Sequence, residues 1–196
     1  MKWFIALQIS FVFIIPIALI YFGILPFEHR IIIIGTYSIF AVLLVVFQHW
    51  SPKRLGIRTD NLREVLVPYI IFTLLSVAVL VVVAHLLEKR PIQGWYTHTH
   101  LLFLFLPSSI TQEFLYRGFL MEELARLKLS ILYVLVVNSI LFTLLHVIYD
   151  QKAIILPLVF ASGVGFAWMY HKYPNLIAIS ASHAILNLTA VIYTFF

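Results

Sequence analysis

The uncharged segment VLVPYIIFTLLSVAVLVVVAHLL, at residues 65–87, is the clearest indication of fold in this sequence. It contains no Asp, Glu, Lys or Arg, and about twenty apolar residues are enough for a helix to cross the hydrocarbon core of a bilayer. Similar stretches recur along the chain with short polar breaks between them. They predict an all-α, polytopic membrane helix bundle with seven spans, near residues 3–24, 31–49, 65–87, 99–125, 129–149, 153–171 and 174–195.

The composition supports this class of protein. Hydrophobic residues make up 63% of the 196 residues and charged residues only 11%, too few charges for the surface of a soluble domain of this length. We therefore expect a single transmembrane bundle over residues 1–196. Cysteine is absent, which excludes disulfides, thiolate nucleophiles and sulfur-rich metal sites. Any catalysis must use oxygen and nitrogen groups.

The formal net charge of +5 would suggest an acidic partner in a soluble protein, but here the basic residues lie in the connections and indicate topology. Their distribution predicts a cytoplasmic N-terminus, an integral, multi-pass protein of the plasma membrane, and the lipid bilayer rather than nucleic acid as its surroundings. The basic segment 51–64 is expected to be a solvated loop at the cytoplasmic headgroups. The richer side carries Lys2, Lys53, Arg54, Arg58, Arg63, Arg126, Lys128 and Lys172, and the other side carries Arg30, Lys89, Arg90 and Lys152.

Polar residues inside three of the predicted spans indicate a functional site. An ionisable group in hydrocarbon is costly unless it faces a partner or a water-filled cavity, and residues four apart share one face of a helix. The rise of a helix places four of these residues roughly 16–26 Å from the cytoplasmic ends of their spans, so that they can meet near the middle of the bilayer: Glu113, His146, His183 and Asn187. The pairs are Glu113 with Arg117, Phe142 with His146, and His183 with Asn187.

These motifs resemble those of the CPBP family of intramembrane endopeptidases, which includes CAAX prenyl proteases and bacteriocin-processing enzymes. The family pattern is Glu-Glu-x-x-x-Arg, then Phe-x-x-x-His, then His-x-x-x-Asn. This chain reads QEFLYRG at 112–118, FTLLH at 142–146 and HAILN at 183–187. The resemblance begins near residue 99, and so implies a catalytic core over 99–196 preceded by accessory helices over 1–98.

The resemblance implies hydrolysis of a peptide bond in a membrane or membrane-associated peptide or protein by activated water. Glu113 would act as general base or carboxylate partner and His146 would hold the water, while His183 and Asn187 would stabilise the oxyanion. Three further residues would support the site: Gln112, Arg117 as the ion-pair partner of Glu113, and Phe142 by packing.

One position departs from the family pattern. Gln112 stands where the family has its first Glu, the residue expected to activate water, and a carboxamide cannot act as a general base. Either Glu113 takes over this role, or the chain is an inactive membrane scaffold, such as a bacteriocin-immunity or regulatory protein that binds peptides without cutting them. A small transporter with a proton relay would use the same residue types, but no pair of broken-helix signals recommends it.

Structural interpretations of the same residues also remain open. Glu113 and Arg117 can form a buried ion pair without catalysis, and Asn187 can serve as an interhelical hydrogen-bonding group. We expect a structural role for Asn138 and a solvated helix end at Glu122 and Glu123.

No metal or other cofactor is expected. Two His and one Glu are, however, a known zinc set, so zinc held by Glu113, His146 and His183 remains an alternative. Gly163 and Gly165, in the sixth span, are expected to permit a close approach between helices.

Overall fold

A computed structural model describes residues 2–97, 100–149 and 152–195, with the side chains of 31 and 100–104 left out of the description. Its secondary structure is helical, with no strand in these ranges, and the prediction of an all-α bundle is confirmed. Seven long helical segments follow the seven predicted stretches. They are α1 (Lys2–Tyr21), α2 (Arg30–Phe47), α3 (Leu62–Leu86), α4 (His100–Glu113, Phe114–Leu120 and Met121–Arg126), α5 (Ile131–Leu144), α6 (Lys152–Lys172) and α7 (Leu176–Ile192).

Three of these helices, α1, α3 and α6, are long and apolar enough to cross a membrane. The apolar parts of α2, α5 and α7 are shorter than a full span, so the count of seven spans stays a prediction. The surface of α3 has the character expected next to lipid, since Leu74, Leu75 and Val79 are each more than half exposed.

Helix α7 lies at the centre of the packing, against both α3 and α4, while α5 packs against α6. Small residues allow the helices to approach closely. A Cβ atom added at Gly163 would lie 3.2 Å from the Cα atom of Ser139 on α5, and one added at Gly165 would lie 3.1 Å from the ring of Phe72 on α3. The predicted role of both glycines is therefore confirmed.

The loop between α2 and α3 is anchored to the start of α7. Asn175 is fully buried; its amide nitrogen donates to the carbonyl of Arg58 at 3.0 Å and to Oδ1 of Asn61 at 2.8 Å. Its Oδ1 caps α7 by accepting from the backbone N–H of Ala178 at 2.9 Å. The prediction of a solvated loop is wrong for this part of 51–64, because the turn before α7 supplies hydrogen-bonding partners that the sequence pattern did not reveal.

The exposed part of the same loop is held by ion pairs. Arg58 binds Asp60 through two hydrogen bonds of 2.6 and 2.7 Å, and Lys53 lies 3.0 Å from the same carboxylate. The hydrogen bonds from Arg58 and then Lys53 hold the pKa of the Asp60 carboxyl well below its usual value. This edge of the loop thus remains charged and solvated, as the sequence predicts.

The end of α4 differs from the expected solvated helix end. Glu123 has no exposed surface. Its buried carboxylate accepts hydrogen bonds from Arg126 at 2.9 Å and from Gln48, just after α2, at 3.3 Å. Glu122 is partly exposed and pairs with Arg54. The prediction is therefore wrong for Glu123: the end of α2 covers that side of α4 and supplies a polar partner.

Candidate active site

Glu113 lies at the end of the first α-helical segment of α4 and is fully buried. Arg117, one turn later, is also fully buried, with its Nε atom 3.3 Å from Oε2 of Glu113 and a second nitrogen donating to Oε1 at 3.3 Å. The guanidinium also donates to the carbonyl of Gly163 at 3.2 Å. The predicted ion pair is confirmed. The Nε–Oε2 contact is an ion-pair contact without hydrogen-bond geometry, so the hydrogen bonds of the guanidinium are those to Oε1 of Glu113 and to Gly163.

The segment that carries Arg117 is a π-helix, Phe114–Leu120, which begins directly after Glu113. Such wide turns interrupt α-helices mostly over short stretches and are frequent at functional sites. Gly118 lies in this segment, and a Cβ atom there would come 3.4 Å from the backbone carbonyl of Leu55. The π-helical turn therefore packs against the loop that precedes α3 while it directs Arg117 inward.

His183, on α7, binds the same carboxylate. Its Nδ1 atom lies 2.6 Å from Oε1 of Glu113, and the ring is almost fully buried. A neutral imidazole in this contact donates its Nδ1–H and leaves Nε2 as the acceptor. The sequence placed both residues in one site, and the structure brings them into direct contact.

Phe142 is the packing centre of the site. Its ring centroid lies 5.2 Å from that of His146 and 5.6 Å from that of His183, and the guanidinium carbon of Arg117 lies 4.5 Å from the same centroid. His146, just after α5, has its Nδ1 atom 3.0 Å from the carbonyl oxygen of Phe142. Phe142 thus positions both histidines, as the predicted packing role requires.

Asn187 is bound by a residue that the sequence analysis missed. Its amide nitrogen donates to the hydroxyl of Ser109 at 3.2 Å, and Ser109 is fully buried on α4. Ser109 precedes Glu113 by four residues, so extending the i,i+4 series by one turn toward the N-terminus would have found it. Asn138, by contrast, donates to the carbonyl of Tyr116 at 2.6 Å, which supports its expected structural role.

Two cavities meet at these side chains. The first, which we call the apolar cavity, is bordered by Phe142, His146, His183 and Asn187. The rest of its wall consists mainly of apolar residues of α3, α6 and α7. These residues include Leu80, Ile155, Leu158, Val159, Leu186 and Ala190.

The second, which we call the polar cavity, is the larger of the two and lies between α2, α4 and the end of α5. His146 and Asn187 border this cavity as well as the first. They therefore form a wall that the two cavities share. The polar cavity is lined by Arg30, Ile34, Gly35, Phe105, Pro107, Ser108, Thr111, Gln112, His146, Tyr149 and Asn187.

Gln112 and Glu113 occupy different environments. Gln112 lines the polar cavity, and its Oε1 atom is buried without a hydrogen-bond partner among the described residues. Glu113 borders neither of the two cavities in the described part of the chain. Adjacent residues of a helix point about 100° apart, which accounts for the separation. The cavity-facing position therefore carries a carboxamide, and the carboxylate lies behind it.

The zinc alternative can be compared with this geometry. Within residues 2–97, 100–149 and 152–195, no three His, Asp or Glu side chains are grouped to hold a metal ion. Glu113 and His183 bind each other instead. As placed here, Glu113, His146 and His183 do not fit a three-ligand site.

The comparison with protein families gives one match. Residues 94–189, nearly half of the chain, match the family described as Type II CAAX prenyl endopeptidase Rce1-like. The matched segment contains all seven predicted site residues. Neither the curated proteins nor the solved structures yield a significant match.

Proposed function

We propose that this chain is an intramembrane endopeptidase that hydrolyses a peptide bond of a membrane or membrane-associated substrate. The proposal starts from the match of residues 94–189 to the Rce1-like family of type II CAAX prenyl endopeptidases. The family predicted from the three motifs is confirmed. Together with the long apolar helices, it identifies a membrane protein related to proteases. The reaction, the roles of the residues and the topology are parts of the proposal.

The observation that carries the proposal is the shared wall of the two cavities, where His146 and Asn187 border both. A peptide bond at this wall would lie beside His146, which can bind water, and beside Asn187, whose amide can donate a hydrogen bond to the peptide carbonyl. Its neighbouring residues would extend into the cavities on either side. The proposal requires that the base and the oxyanion donors surround one reacting position, and the common position of His146 and Asn187 on both cavity walls supports it.

His146 is the proposed water-activating residue. In its neutral form, with Nδ1–H donating to the carbonyl of Phe142, the ring carries its lone pair on Nε2. That nitrogen takes a proton from water as the oxygen attacks the carbonyl carbon, and it returns the proton to the leaving nitrogen as the C–N bond breaks. Gln112 supplies hydrogen bonds to the water or the substrate, but it takes no proton.

Asn187 and His183 are the proposed oxyanion donors. Asn187 has two amide hydrogens, one of which is directed to Ser109. When protonated, His183 donates from Nε2, the ring nitrogen that does not contact Glu113. Glu113 then acts as the carboxylate partner that orients His183. This assignment agrees with the absence of Glu113 from both described cavity walls.

Cleavage of a membrane-peptide library by the purified protein tests the proposal, with and without a chelator. We expect wild-type turnover that survives the chelator, because the proposed chemistry uses no metal, and loss of turnover in His146→Ala. Gln112→Glu should raise turnover, since a cavity-facing carboxylate restores a second base; general bases contribute typically 10²–10⁴-fold. Inactivation by the chelator with rescue by zinc would support Glu113, His146 and His183 as metal ligands instead.

A second candidate is a scaffold, such as an immunity or regulatory protein, that binds peptides without cutting them. The observation in its favour is the carboxamide of Gln112 at the cavity-facing position. The discriminating result is the behaviour of a peptide that binds the wild type. If neither the wild type nor Gln112→Glu cuts it while both remain folded, the scaffold is the better description.

The proposed topology is multi-pass in the plasma membrane, with a cytoplasmic N-terminus, and it is supported by the unequal distribution of Lys and Arg between the connections. The chain has no cysteine, so single cysteines can be introduced without background labelling. A cysteine at Lys53 should react with an impermeant thiol reagent only after cells are opened, and one at Lys89 should react in intact cells. The reverse pattern would invert the topology.

A further inference from the structure

The polar cavity contains a single charged side chain among its described lining residues, Arg30 at the start of α2. No Asp or Glu lines the cavity with it, and in the described part of the chain Arg30 takes part in no ion pair. Its only described hydrogen bond goes to the backbone carbonyl of Phe27, at 3.3 Å. The guanidinium thus has most of its donors left for an anion inside the cavity.

Aromatic contacts fix the position of Arg30 relative to the proposed reaction centre. Its guanidinium carbon lies 4.1 Å from the ring centroid of Phe27. Phe27 contacts Tyr149 edge-on at 5.9 Å between centroids, and Tyr149 lies 5.8 Å from His146 by the same measure. At ~3.3–3.6 Å for each extended residue, the guanidinium is within about five residues of the His146 ring.

Gln112, a second polar residue of the cavity wall, has an acceptor without a described partner. The Oε1 atom of Gln112 is buried and has no described hydrogen-bond partner, and a buried acceptor of this kind is costly unless it is satisfied. The N–H groups of an extended peptide are suitable donors. The wall of the polar cavity therefore carries an amide whose acceptor has no described partner, as well as a cation.

We propose that Arg30 is a specificity residue that binds a carboxylate of the peptide substrate, within about five residues of the bond that is cut. Arginine suits this task because its planar fork donates two parallel hydrogen bonds to a carboxylate. The inference rests on the proposed peptidase function. It adds that α2, which lies outside the matched segment 94–189, completes the substrate site and selects acidic substrates.

Binding of fluorescent peptides to the purified full-length chain in lipid nanodiscs tests this inference without requiring cleavage. The probe is an apolar Leu-Ala peptide with one Glu, compared with the same peptide carrying Gln. Both are made with an amidated C-terminus. A third peptide has Gln and a free C-terminal carboxylate, which separates a side-chain carboxylate from a terminal one.

We expect at least one of the two acidic peptides to bind the wild type about tenfold more tightly than the neutral peptide. Arg30→Gln should abolish this preference, and Arg30→Lys should keep part of it, because the charge remains while the fork geometry is lost. Arg90→Gln is the matched control: Arg90 is exposed and lines a different pocket, so this variant should keep the full preference.

Equal loss of the preference in Arg90→Gln would overturn the inference, because the effect would then come from the general charge of the protein. The inference is likewise overturned if the wild type shows no preference, or if no peptide binds. It is also overturned if anionic phosphatidylglycerol in the nanodisc removes the preference, since Arg30 would then hold a lipid phosphate. Preferential binding without any cleavage would keep the role of Arg30 and refute the peptidase function. Cleavage without a preference for acidic peptides would keep the peptidase function and refute the role of Arg30.

Discussion

The Nδ1 atom of His183 lies 2.6 Å from Oε1 of Glu113, although the two residues are 70 positions apart in the sequence. Arg117 pairs with the same carboxylate. Glu113 therefore links α4 to α7 through a polar contact while it forms an ion pair within α4. The carboxylate is thus shared between a permanent cation and an imidazole ring. Its position gives the Glu113 carboxylate a role in joining α4 and α7 that does not require it to face the cavity, as Gln112 does.

The first prediction concerns this shared carboxylate. Arg117→Met should lower the free energy of unfolding by about 3–5 kcal/mol, because it leaves a buried charge without its main partner. The measurement is equilibrium unfolding in detergent micelles. The double variant Glu113→Gln with Arg117→Met should lose less, since it removes both charges. Arg63→Met, at an exposed position, is the control and should change stability by less than about 0.5 kcal/mol.

An equal loss in the double and single variants would show that the guanidinium acts through its contacts with Phe142 and Gly163 rather than through its charge.

The second prediction concerns Ser109, which holds Asn187. If the amide of Asn187 donates to the oxyanion, Ser109→Ala should lower kcat about tenfold, the effect of losing one hydrogen bond of ordinary strength, with little change in KM. Thr189→Ala is the control, because that hydroxyl bonds only to the carbonyl of Ile185 in its own helix among the described contacts. A rise in KM with unchanged kcat would assign Ser109 to substrate binding instead.

The sequence predicted much of this site because its signals are local. Glu113 and Arg117 share one helix turn, and a charge buried in an apolar helix needs a partner, so their pairing followed from spacing alone. The contact between Glu113 and His183 depends on how α4 and α7 pack and on the rotamer of each side chain. No periodicity contains that information. The different orientations of Gln112 and Glu113 followed from helix geometry, but which of them faces the cavity did not.

The third prediction tests the close approach of α5 and α6. Gly163→Ala should destabilise the protein by about 1–3 kcal/mol, the usual cost of overpacking, because the new methyl group would lie 3.2 Å from Ser139 and Phe142 atoms. Gly35→Ala is the matched control, since nothing lies within 4 Å of a Cβ atom there. Unfolding in detergent should show no loss of stability for this control.

Because Phe142 positions both histidines, Gly163→Ala should also reduce turnover more than its loss of stability accounts for. Unchanged turnover in the folded fraction would show that Phe142 can shift without disturbing His146.

The fourth prediction concerns the anchor of the loop before α3. Asn175→Ala should lower the free energy of unfolding by about 2–3 kcal/mol, because it removes a helix cap worth roughly 1 kcal/mol and two further hydrogen bonds of similar size. Asn175→Ser keeps a capping oxygen and should recover about the contribution of the cap. Identical losses in both variants would mean that the cap contributes nothing and that the bonds to Arg58 and Asn61 carry the effect.

The parts of the fold that the sequence failed to predict share a physical cause. Glu123 and Asn61 both have the polar character of exposed residues, and burial by a neighbouring segment overrides that character. Glu123 is covered by the end of α2, where the amide of Gln48 donates a hydrogen bond to its carboxylate. Asn61 is covered by the turn that carries Asn175. Helix existence depends on apolar run length, which is visible in the sequence. The partners of buried polar groups come from residues distant in the sequence, and the sequence pattern does not show which of these lie close together in space.

The π-helical turn Phe114–Leu120 has a consequence for protein engineering. It sets the angular phase between the two halves of α4, one bearing Ser109 and Glu113 and the other bearing Glu123 and Arg126. Deleting one residue within the turn would rotate one half against the other by about 100°. The polar residues of the two halves could then not form their present hydrogen bonds and ion pairs at the same time. Chimeras with related chains should therefore exchange this turn as an intact unit, with its residue count preserved.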